Sequence, residues 1–366
     1  MPTNHRVVFE SATRLTAVED HSVDLIVTSP PYPMVAMWDS VFGEQNSAIQ
    51  ASLNDENGAD AFGLMHEILD DAWRESVRVL RPGGFACINI GDATRTIGGS
   101  FRLYSNHSRI IRTFESIGMQ SLPVILWRKQ TNAPNKFMGS GMLPAGAYVT
   151  LEHEYILVFR KGGKRTFGPD DRNLRRRSAF FWEERNQWFS DVWDFKGVRQ
   201  KLGDTSTRGR SAAFPFELAF RLINMYSLQG ETVLDPFVGT GTTIAAALSS
   251  ARNSMGVEID GRFSDAIDST IRTFIPSAND RQIRRYEDHL EFVRTYAADK
   301  GTQLSHTNSP HGFPVMTKQE TDLELRVVDR VERVSACEYR AEHRALDDTR
   351  DVRSDHSSQL TLPLTD

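Results

Sequence analysis

The stretch that decides the fold lies at residues 232–243 and reads TVLDPFVGTGTT. Its apolar start predicts a buried strand, and its glycines predict a tight loop that lets a ligand approach the backbone. The small residues that follow, 244–248, predict a helix whose free N–H groups face the loop. Because no Gly-Lys-Ser/Thr follows, the loop is not a Walker phosphate loop. Glu258, about 20 residues further on at the end of a second predicted strand, is placed to accept hydrogen bonds from ribose hydroxyls.

A second strand end, much earlier in the chain, carries a stiff polar corner. Residues 23–32 read VDLIVTSPPY, an apolar strand followed by Ser29, Pro30, Pro31 and Tyr32. Two consecutive prolines fix φ and donate no N–H, so the chain is rigid just past the strand. A planar ring can stack on Tyr32 while its exocyclic amine donates to the Ser29 side chain and the Pro30 carbonyl. The structural alternative is a proline-rich turn that Tyr32 merely covers.

Strands and helices alternate around these two stretches, which predicts a mostly parallel sheet with helices on both faces. The clearest helix is predicted over Phe62–Leu80, and a second over Phe216–Ser227. Gly43–Asp60, rich in Asn, Gly, Ser and acids, is predicted to be a mobile loop. Residues 301–366 are predicted to form a polar tail that packs poorly and is partly disordered. Strands are predicted over the apolar runs Arg6–Phe9, Val23–Val27, Phe85–Ile90, Leu122–Trp127, Tyr155–Phe159, Thr232–Leu234 and Met255–Ile259.

Composition narrows the class of protein. With 366 residues, 39% hydrophobic and 25% charged, the chain is an ordinary globular one. Two cysteines cannot build a disulfide framework, and the scattered histidines predict no metal site. No membrane span and no secretory signal are expected, so a cytosolic protein is expected. The net charge is −5, yet residues 160–210 hold fourteen Lys and Arg against seven Asp and Glu, a local field that suits a polyanion.

The two strand ends together resemble the amino-methylating DNA methyltransferases that use S-adenosylmethionine. Ser29–Tyr32 resembles their catalytic motif and Asp235–Gly241 their cofactor loop. Residues 213–218, AFPFEL, resemble the helix start that covers the methionine end of the cofactor, with Phe214-Pro215 in place of the usual His-Pro. Because the catalytic motif precedes the cofactor loop, the order resembles that of the β class. This order predicts that Leu234-Asp235 and Val27-Thr28 lie on adjacent strands and that both motifs face the same crevice. The resemblance implies an α/β, circularly permuted Rossmann-like methyltransferase fold with a basic target-recognition insert.

The resemblance also implies a domain plan and a set of site residues. The plan is a catalytic half (1–160), a target-recognition insert (161–211), a cofactor-binding half (212–300) and the polar tail (301–366). The implied catalytic residues are Ser29, Pro30, Pro31 and Tyr32, and no metal is implied. The implied cofactor-binding residues are Thr28, Pro215, Asp235, Pro236, Phe237, Gly239, Thr240, Gly241, Thr242 and Glu258. Seven basic residues are candidates for DNA binding: Arg175, Arg176, Arg177, Arg185, Lys196, Arg208 and Arg210.

The implied reaction is methyl transfer from S-adenosylmethionine to N4 of a cytosine flipped out of the duplex. Cytosine is favoured because adenine-N6 enzymes usually carry Asp or Asn where this chain has Ser29; adenine-N6 methylation is the alternative. Methylation of a protein glutamine is disfavoured by the motif order and by the same serine. Carbon-5 methylation of cytosine is disfavoured because neither Cys87 nor Cys337 follows a proline. A DNA-binding protein without catalysis is the alternative of another class.

Three partners follow from this interpretation. Double-stranded DNA is the substrate, and a cognate restriction endonuclease is a candidate partner. The C-terminal residues 359–364, QLTLPL, resemble a bacterial sliding-clamp peptide, Gln-x-x-Leu-x-Leu, which makes the clamp a third candidate.

Overall fold

The fold is built on one large mixed sheet, seen in a computed structural model that describes residues 1–129, 138–197, 214–347 and 364–365. The strands are β1 (Pro2–Phe9), β2 (Val23–Thr28), β3 (Leu80–Ile90), β4 (Ala93–Ile97), β5 (Ser100–Tyr104), β6 (Met119–Ser121), β7 (Ile125–Arg128), β8 (Met138–Gly139), β9 (Ala147–Tyr148), β10 (His153–Lys161), β11 (Val192–Asp194), β12 (Thr232–Asp235), β13 (Asn253–Glu258), β14 (His306–Thr307), β15 (Pro314–Val315), β16 (Arg326–Ser335), β17 (Glu338–Ala345) and β18 (Leu364–Thr365). The α-helices are α1 (Asp39–Gln45), α2 (Ser47–Asn54), α3 (Gly58–Val79), α4 (Asn106–Ser116), α5 (Pro169–Arg177), α6 (Trp182–Trp188), α7 (Phe216–Tyr226), α8 (Thr242–Ser249), α9 (Ser264–Phe274) and α10 (Asp280–Lys300). None of the helices in those ranges combines the length and apolar character needed to cross a bilayer.

The strand order of the large sheet is β11-β7-β10-β3-β2-β12-β13-β1-β17-β16-β18, with β6 beside β10. The five central strands, β3 to β1, run parallel, and antiparallel strands flank them on both sides. Leu234 of β12 lies opposite Ile26 of β2, so the prediction that the two motif strands are neighbours is confirmed. We call the edge where the five central strands end the carboxyl edge and the opposite one the amino edge. Connections from β2 and β12 lead to opposite halves of the sheet, which opens a crevice between their carboxyl ends.

Helix α3 links β2 to β3 and forms much of the core on one face. Asn57 caps its start by accepting a hydrogen bond from the Asp60 N–H at 3.3 Å. Met65, Leu69 and Trp73 recur at helical spacing and are fully buried. The predicted helix is therefore confirmed, with its start four residues earlier than the apolar pattern indicated. On the other face, α7 and α8 supply buried residues to a second core cluster.

The prediction of a mobile loop over Gly43–Asp60 is wrong. The segment contains the end of α1, all of α2 and the start of α3. Phe42 and Ile49 point into the core and are at most 1% exposed. Asn46 caps α2 by accepting from the Ala48 N–H at 3.0 Å. Composition misled here because Asn and Ser, which favour loops, also favour the N-cap positions of helices.

The prediction of a poorly packed tail is wrong for residues 302–347. Strand β17 pairs with β1 and so extends the main sheet, and β16 pairs with β17. Val328, Val331 and Tyr339 of this hairpin are buried against α9. The Tyr339 hydroxyl also donates to the Asp268 carboxylate of that helix. Alternating charged and apolar residues along β16 give the segment its polar composition, because one face of the hairpin is solvated.

Much of the predicted target-recognition insert packs onto this scaffold. Phe181, Trp188 and Trp193 are at most 1% exposed, so these three aromatic residues of the insert belong to the core. Glu184 of α6 accepts two hydrogen bonds from Arg285 of α10, at 2.6 and 2.7 Å. A buried, doubly hydrogen-bonded ion pair of this kind ties α6 to α10.

Candidate active site

A cavity of about 420 Å³ lies at the carboxyl edge, between the ends of β2 and β12. Its wall combines the two predicted stretches and the end of β13: Ser29, Pro30, Pro31, Tyr32, Asp235, Pro236, Phe237, Gly239, Thr240, Thr242 and Glu258. Apolar residues that complete the wall include Trp38, Phe42, Leu69 and Phe263. The prediction that both motifs face one crevice is confirmed.

Asp235 holds the two motif strands and helix α8 together. Its carboxylate accepts from the Thr28 hydroxyl at 2.5 Å, from the Thr243 hydroxyl at 2.6 Å and from the Phe237 N–H at 3.1 Å. Burial raises the pKa of Asp235 to about 6, although these three hydrogen bonds act in the opposite direction. Oδ1 accepts two of these hydrogen bonds and Oδ2 accepts one, so Asp235 fixes the start of the loop and of α8 while its carboxylate lies at the cavity wall.

The glycine loop lies directly on the neighbouring strand. The Val238 N–H donates to the Val257 carbonyl at 3.0 Å, and a Cβ at Gly256 would lie only 2.6 Å from the Val238 side chain. Gly241 has φ of +89° at the start of α8, a conformation that glycine adopts without strain. The loop therefore packs against β13 on one side, and its residues Gly239 and Thr240 line the cavity on the other.

Glu258 ends β13 and faces the same cavity. Its carboxylate accepts from the Gly239 N–H and from the Asp260 N–H, both at 3.1 Å. Burial raises the pKa of Glu258 to about 7, and the charges of Asp260 and Asp235 act in the same direction. Each carboxylate oxygen has a further lone pair, so Glu258 can accept hydroxyl donors from a ligand.

Ser29 and Tyr32 belong to a chain of hydrogen bonds that sequence reasoning missed. The Ser29 hydroxyl donates to the Tyr32 hydroxyl at 3.1 Å, and the Tyr32 hydroxyl donates to Glu154 at 2.9 Å. Asn89 donates to the Tyr32 hydroxyl at 2.9 Å and to Glu154 at 2.7 Å. Lys129 contacts the other oxygen of Glu154. Because the Ser29 proton is directed to Tyr32, the lone pairs of the Ser29 oxygen remain available as acceptors.

The Tyr32 ring is fixed in place and its hydroxyl stays protonated. A Cβ at Gly91 would lie 3.0 Å from the ring, so the ring rests closely on the backbone there. Burial and the nearby Glu154 carboxylate raise the pKa of Tyr32 well above its ordinary value. The neutral phenol can therefore donate to Glu154 at any physiological pH.

A buried asparagine joins the loops that follow β2 and β3. Asn106 donates to the Pro33 carbonyl at 3.1 Å and to the Gly91 carbonyl at 3.0 Å. Its own carbonyl oxygen lies 3.0 Å from Nε2 of the buried His66. Asn106 thus positions the corner that carries Tyr32, and nothing in the sequence around this residue signals that function.

Three of the predicted cofactor-binding residues do not line the cavity. Thr28 is fully buried beneath it and contacts Asp235. Pro215 is the buried N-cap of α7, and its neighbour Phe214 lines the wall instead. The side of Gly241 that would carry a Cβ faces α9, because a Cβ there would lie 3.5 Å from the Ile267 side chain. These residues support the wall and do not form its surface.

The predicted DNA-binding residues separate into three groups. The structure does not bring Arg175, Arg176 and Arg177 to the cavity, because the end of α5 lies at the amino edge. There the Arg177 carbonyl accepts from the Glu324 N–H at 3.0 Å, and Ser178 accepts from the Gln229 N–H. Gln229 precedes β12, and Asp235 ends that strand at the opposite edge.

The other predicted basic residues lie elsewhere. Arg185 is on α6, and this helix ends near the amino edge, where β11 begins. The Arg185 guanidinium lies over the Phe189 ring, 5.9 Å from its centroid. Lys196 is exposed and follows β11 directly at the carboxyl edge. Arg208 and Arg210 lie outside the described residues. Among the described candidates, Lys196 alone is at the edge that holds the cavity.

The cysteines lie in the core. Cys87 is a buried residue of β3, and burial raises the pKa of its thiol. Cys337 is buried in the hairpin of β16 and β17. Over the described ranges, no three His, Cys, Asp or Glu side chains are grouped so that they could hold a metal ion.

Known proteins share both the sequence and the fold. A profile of the DNA methylase family matches residues 23–269. The Type II methyltransferase M.MthZI of Methanothermobacter thermautotrophicus is 53% identical over 328 residues, which cover 89% of this chain and 91% of that protein. The Type II methyltransferase M.MjaI of Methanocaldococcus jannaschii is 50% identical over 280 residues, covering 74% of this chain and 91% of that one.

A solved structure agrees with these matches. TTHA0409 of Thermus thermophilus, assigned as a DNA modification methylase and complexed with S-adenosyl-L-methionine, has a TM-score of 0.58 and 30% identity, covering 74% of this chain and 95% of that one. The sheet described above is therefore the circularly permuted Rossmann-like methyltransferase fold, and S-adenosylmethionine is the cofactor. The chain belongs to the family of amino-methylating DNA methyltransferases.

Proposed function

We propose that the protein methylates N4 of cytosine in duplex DNA, as the modification enzyme of a Type II restriction-modification system. The observation that carries the proposal is Ser29, which stands where cytosine-N4 enzymes have serine and whose hydroxyl is held as an acceptor by Tyr32. The similarity to Type II methyltransferases supports the restriction-modification part.

The cavity suits S-adenosylmethionine. Glu258 would accept the ribose hydroxyls, and Phe237 and the loop backbone would contact the rest of the nucleoside. The buried carboxylate of Asp235 stabilises a positive charge nearby without a metal. When bound, the cofactor supplies a methyl group that its sulfonium makes electrophilic.

Ser29 and Tyr32 would act on the target base. The exocyclic amine of cytosine is a poor nucleophile because its lone pair is delocalised into the ring. Hydrogen bonds from that amine to the Ser29 hydroxyl and the Pro30 carbonyl draw the nitrogen toward sp³ geometry and free its lone pair. The Tyr32 ring stacks on the flipped base and aligns it for in-line attack, so that much of the catalysis is positioning.

The identity of the methylated base is the direct test. Unmethylated plasmid DNA is incubated with the protein and radiolabelled S-adenosylmethionine, digested to nucleosides and separated by chromatography. Label is expected in N4-methylcytosine. Label in N6-methyladenine would overturn the base assignment, and DNA binding without any label in DNA would favour the non-catalytic alternative.

Cofactor affinity is expected to depend on pH through Glu258. Ribose hydroxyls donate to the carboxylate, so the ionised form binds the cofactor. With a pKa of about 7 in the free protein, Glu258 is mostly ionised at pH 8 and mostly protonated at pH 6. The Kd for S-adenosylmethionine, measured by calorimetry, is expected to rise about tenfold from pH 8 to pH 6. Glu258→Gln should weaken binding and flatten this dependence; an unchanged slope would assign the titration to another group.

Recognition of the DNA sequence and the protein partners are also part of the proposal. Residues 161–211 remain the proposed target-recognition insert, with Lys196 as its described phosphate contact at the carboxyl edge. Gln359, the first residue of the sliding-clamp peptide, lies outside the described residues. A pull-down with purified clamp, lost on Gln359→Ala, tests that partner.

A further inference from the structure

The segment between β7 and β10 leaves and rejoins the scaffold beside the cavity. Lys129 at its start contacts the Glu154 carboxylate at its end, and the Lys129 N–H donates to the Glu152 carbonyl at 2.8 Å. Glu154 in turn accepts from Tyr32, which lines the cavity. The described part of the segment, residues 138–151, we call the tip hairpin. Glu154 therefore connects the base of the tip hairpin to Tyr32.

The tip hairpin is apolar, uncharged and exposed. Residues 138–151 contain no Lys, Arg, His, Asp or Glu, in a chain of which 25% is charged. Met142 is 87% exposed and Leu143 69%. Contiguous apolar side chains with this exposure are typical of interaction surfaces. Without Lys or Arg, the hairpin offers no positive charge to the phosphates of DNA.

The turn that presents these side chains is tied to the scaffold. The Ser140 hydroxyl donates to the Leu143 carbonyl at 2.7 Å, and the Leu143 N–H donates back to the Ser140 carbonyl at 3.3 Å. Tyr148 stacks on Phe101 of β5, with ring centroids 4.6 Å apart. Met142 and Leu143 thus lie at a turn whose supporting strand, β9, is anchored to β5.

We propose that Met142 and Leu143 insert into the base stack of duplex DNA beside the target nucleotide and occupy the gap that flipping leaves. The inference rests on the proposed function, because it requires a flipped base at Tyr32. The base stack is the apolar part of DNA, and apolar side chains that enter it unstack neighbouring bases. From Tyr148 to Leu143 the hairpin can extend roughly 15 Å, more than the roughly 8 Å depth of a groove.

The test compares two DNA substrates in single-turnover methyl transfer. The first is a synthetic duplex containing one site mapped from wild-type methylation of plasmid DNA. The second is identical except that the base opposite the target is removed, so that flipping breaks no base pair. The double variant Met142→Ser/Leu143→Ser is expected to lose about 10- to 100-fold in rate on the intact duplex, and less than about threefold on the second.

Controls separate this result from a failure of the fold or of the proposed function. Val334→Ser removes an equally apolar, 58% exposed side chain at the far end of the sheet, on β16, and should change neither rate. Unchanged cofactor affinity shows that the double variant is folded, and wild-type methylation of the first duplex tests the function itself. Equal losses on both duplexes, or no loss on either, would overturn the proposal. Loss of self-association in the double variant would also overturn the proposal, because the tip hairpin would then be a contact with a second copy of the chain.

Discussion

Replacing Ser29 with alanine is expected to lower kcat for methyl transfer by about 10²- to 10³-fold. The variant removes an acceptor that lines the cavity and whose proton is donated to Tyr32. The amine would then keep only the Pro30 carbonyl as its acceptor, and its lone pair would stay delocalised. Single-turnover assays with saturating DNA and cofactor measure the change.

Cofactor binding separates a catalytic role of Ser29 from a structural one. The residues that would hold S-adenosylmethionine are anchored by Asp235 and Glu258, and the described hydrogen bond of Ser29 is made to Tyr32 instead. The Kd for the cofactor in Ser29→Ala is therefore expected to stay within twofold of the wild-type value. If this variant keeps a third or more of the wild-type kcat, Ser29 is not the acceptor.

Tyr32→Phe is the matched variant for the orientation of the Ser29 proton. It keeps the ring that stacks on the base but removes the hydroxyl to which Ser29 donates. The Ser29 proton is then free to point at the amine, so about a tenfold loss in kcat is expected, the effect of one hydrogen bond. The order of activities should be wild type, Tyr32→Phe, then Ser29→Ala.

The meeting of the two motifs was predictable because strand ends are a local signal. Ser29 and Asp235 each follow a short apolar run, and the carboxyl ends of adjacent parallel strands face one crevice. Glu258 was predictable by its spacing from the glycine loop. The alternation of predicted strands and helices likewise predicted the sheet, because hydrophobic periodicity and turn residues are features of short stretches of sequence.

The hydrogen bonds behind Tyr32 were not predictable. Glu154 reaches Tyr32 from an antiparallel strand 122 residues away, and Asn89 comes from a third strand. Such contacts depend on register, which a sequence pattern does not encode for isolated polar residues. The positions of Arg175 to Arg177 could not be predicted for a related reason: charge density indicates a surface but not the edge of the sheet on which it lies.

Replacing Asp235 with alanine is expected to destabilise the fold by about 3–5 kcal/mol and to weaken cofactor binding at least tenfold. The variant leaves the Thr28 and Thr243 hydroxyls and the Phe237 N–H buried without their acceptor. The loop that begins at Pro236 loses its anchor at the same time. Denaturant unfolding and calorimetry measure the two effects separately.

Asp24→Ala is the control for this result, because Asp24 is an equally buried acid of β2 at the amino edge. It accepts from the Thr232 N–H at 2.9 Å and contacts Arg81. Its loss should destabilise the fold while leaving the cofactor Kd unchanged, since the cavity is at the other edge. Equal loss of cofactor affinity in both variants would show that the effect at Asp235 is global rather than local.

The ionisation of Asp235 is expected to make the free energy of unfolding depend on pH. Its folded-state pKa of about 6 lies above the ordinary 3.8, so the native state holds the proton more tightly than the unfolded state does. The resulting stabilisation is complete below the ordinary pKa and is lost as pH rises through about 6. Relative to Asp235→Asn, which does not titrate, the wild type should therefore lose about 1 kcal/mol of unfolding free energy between pH 5 and pH 7. A constant difference would mean that the carboxylate is already ionised at pH 5, because its three donors then outweigh the cost of burial.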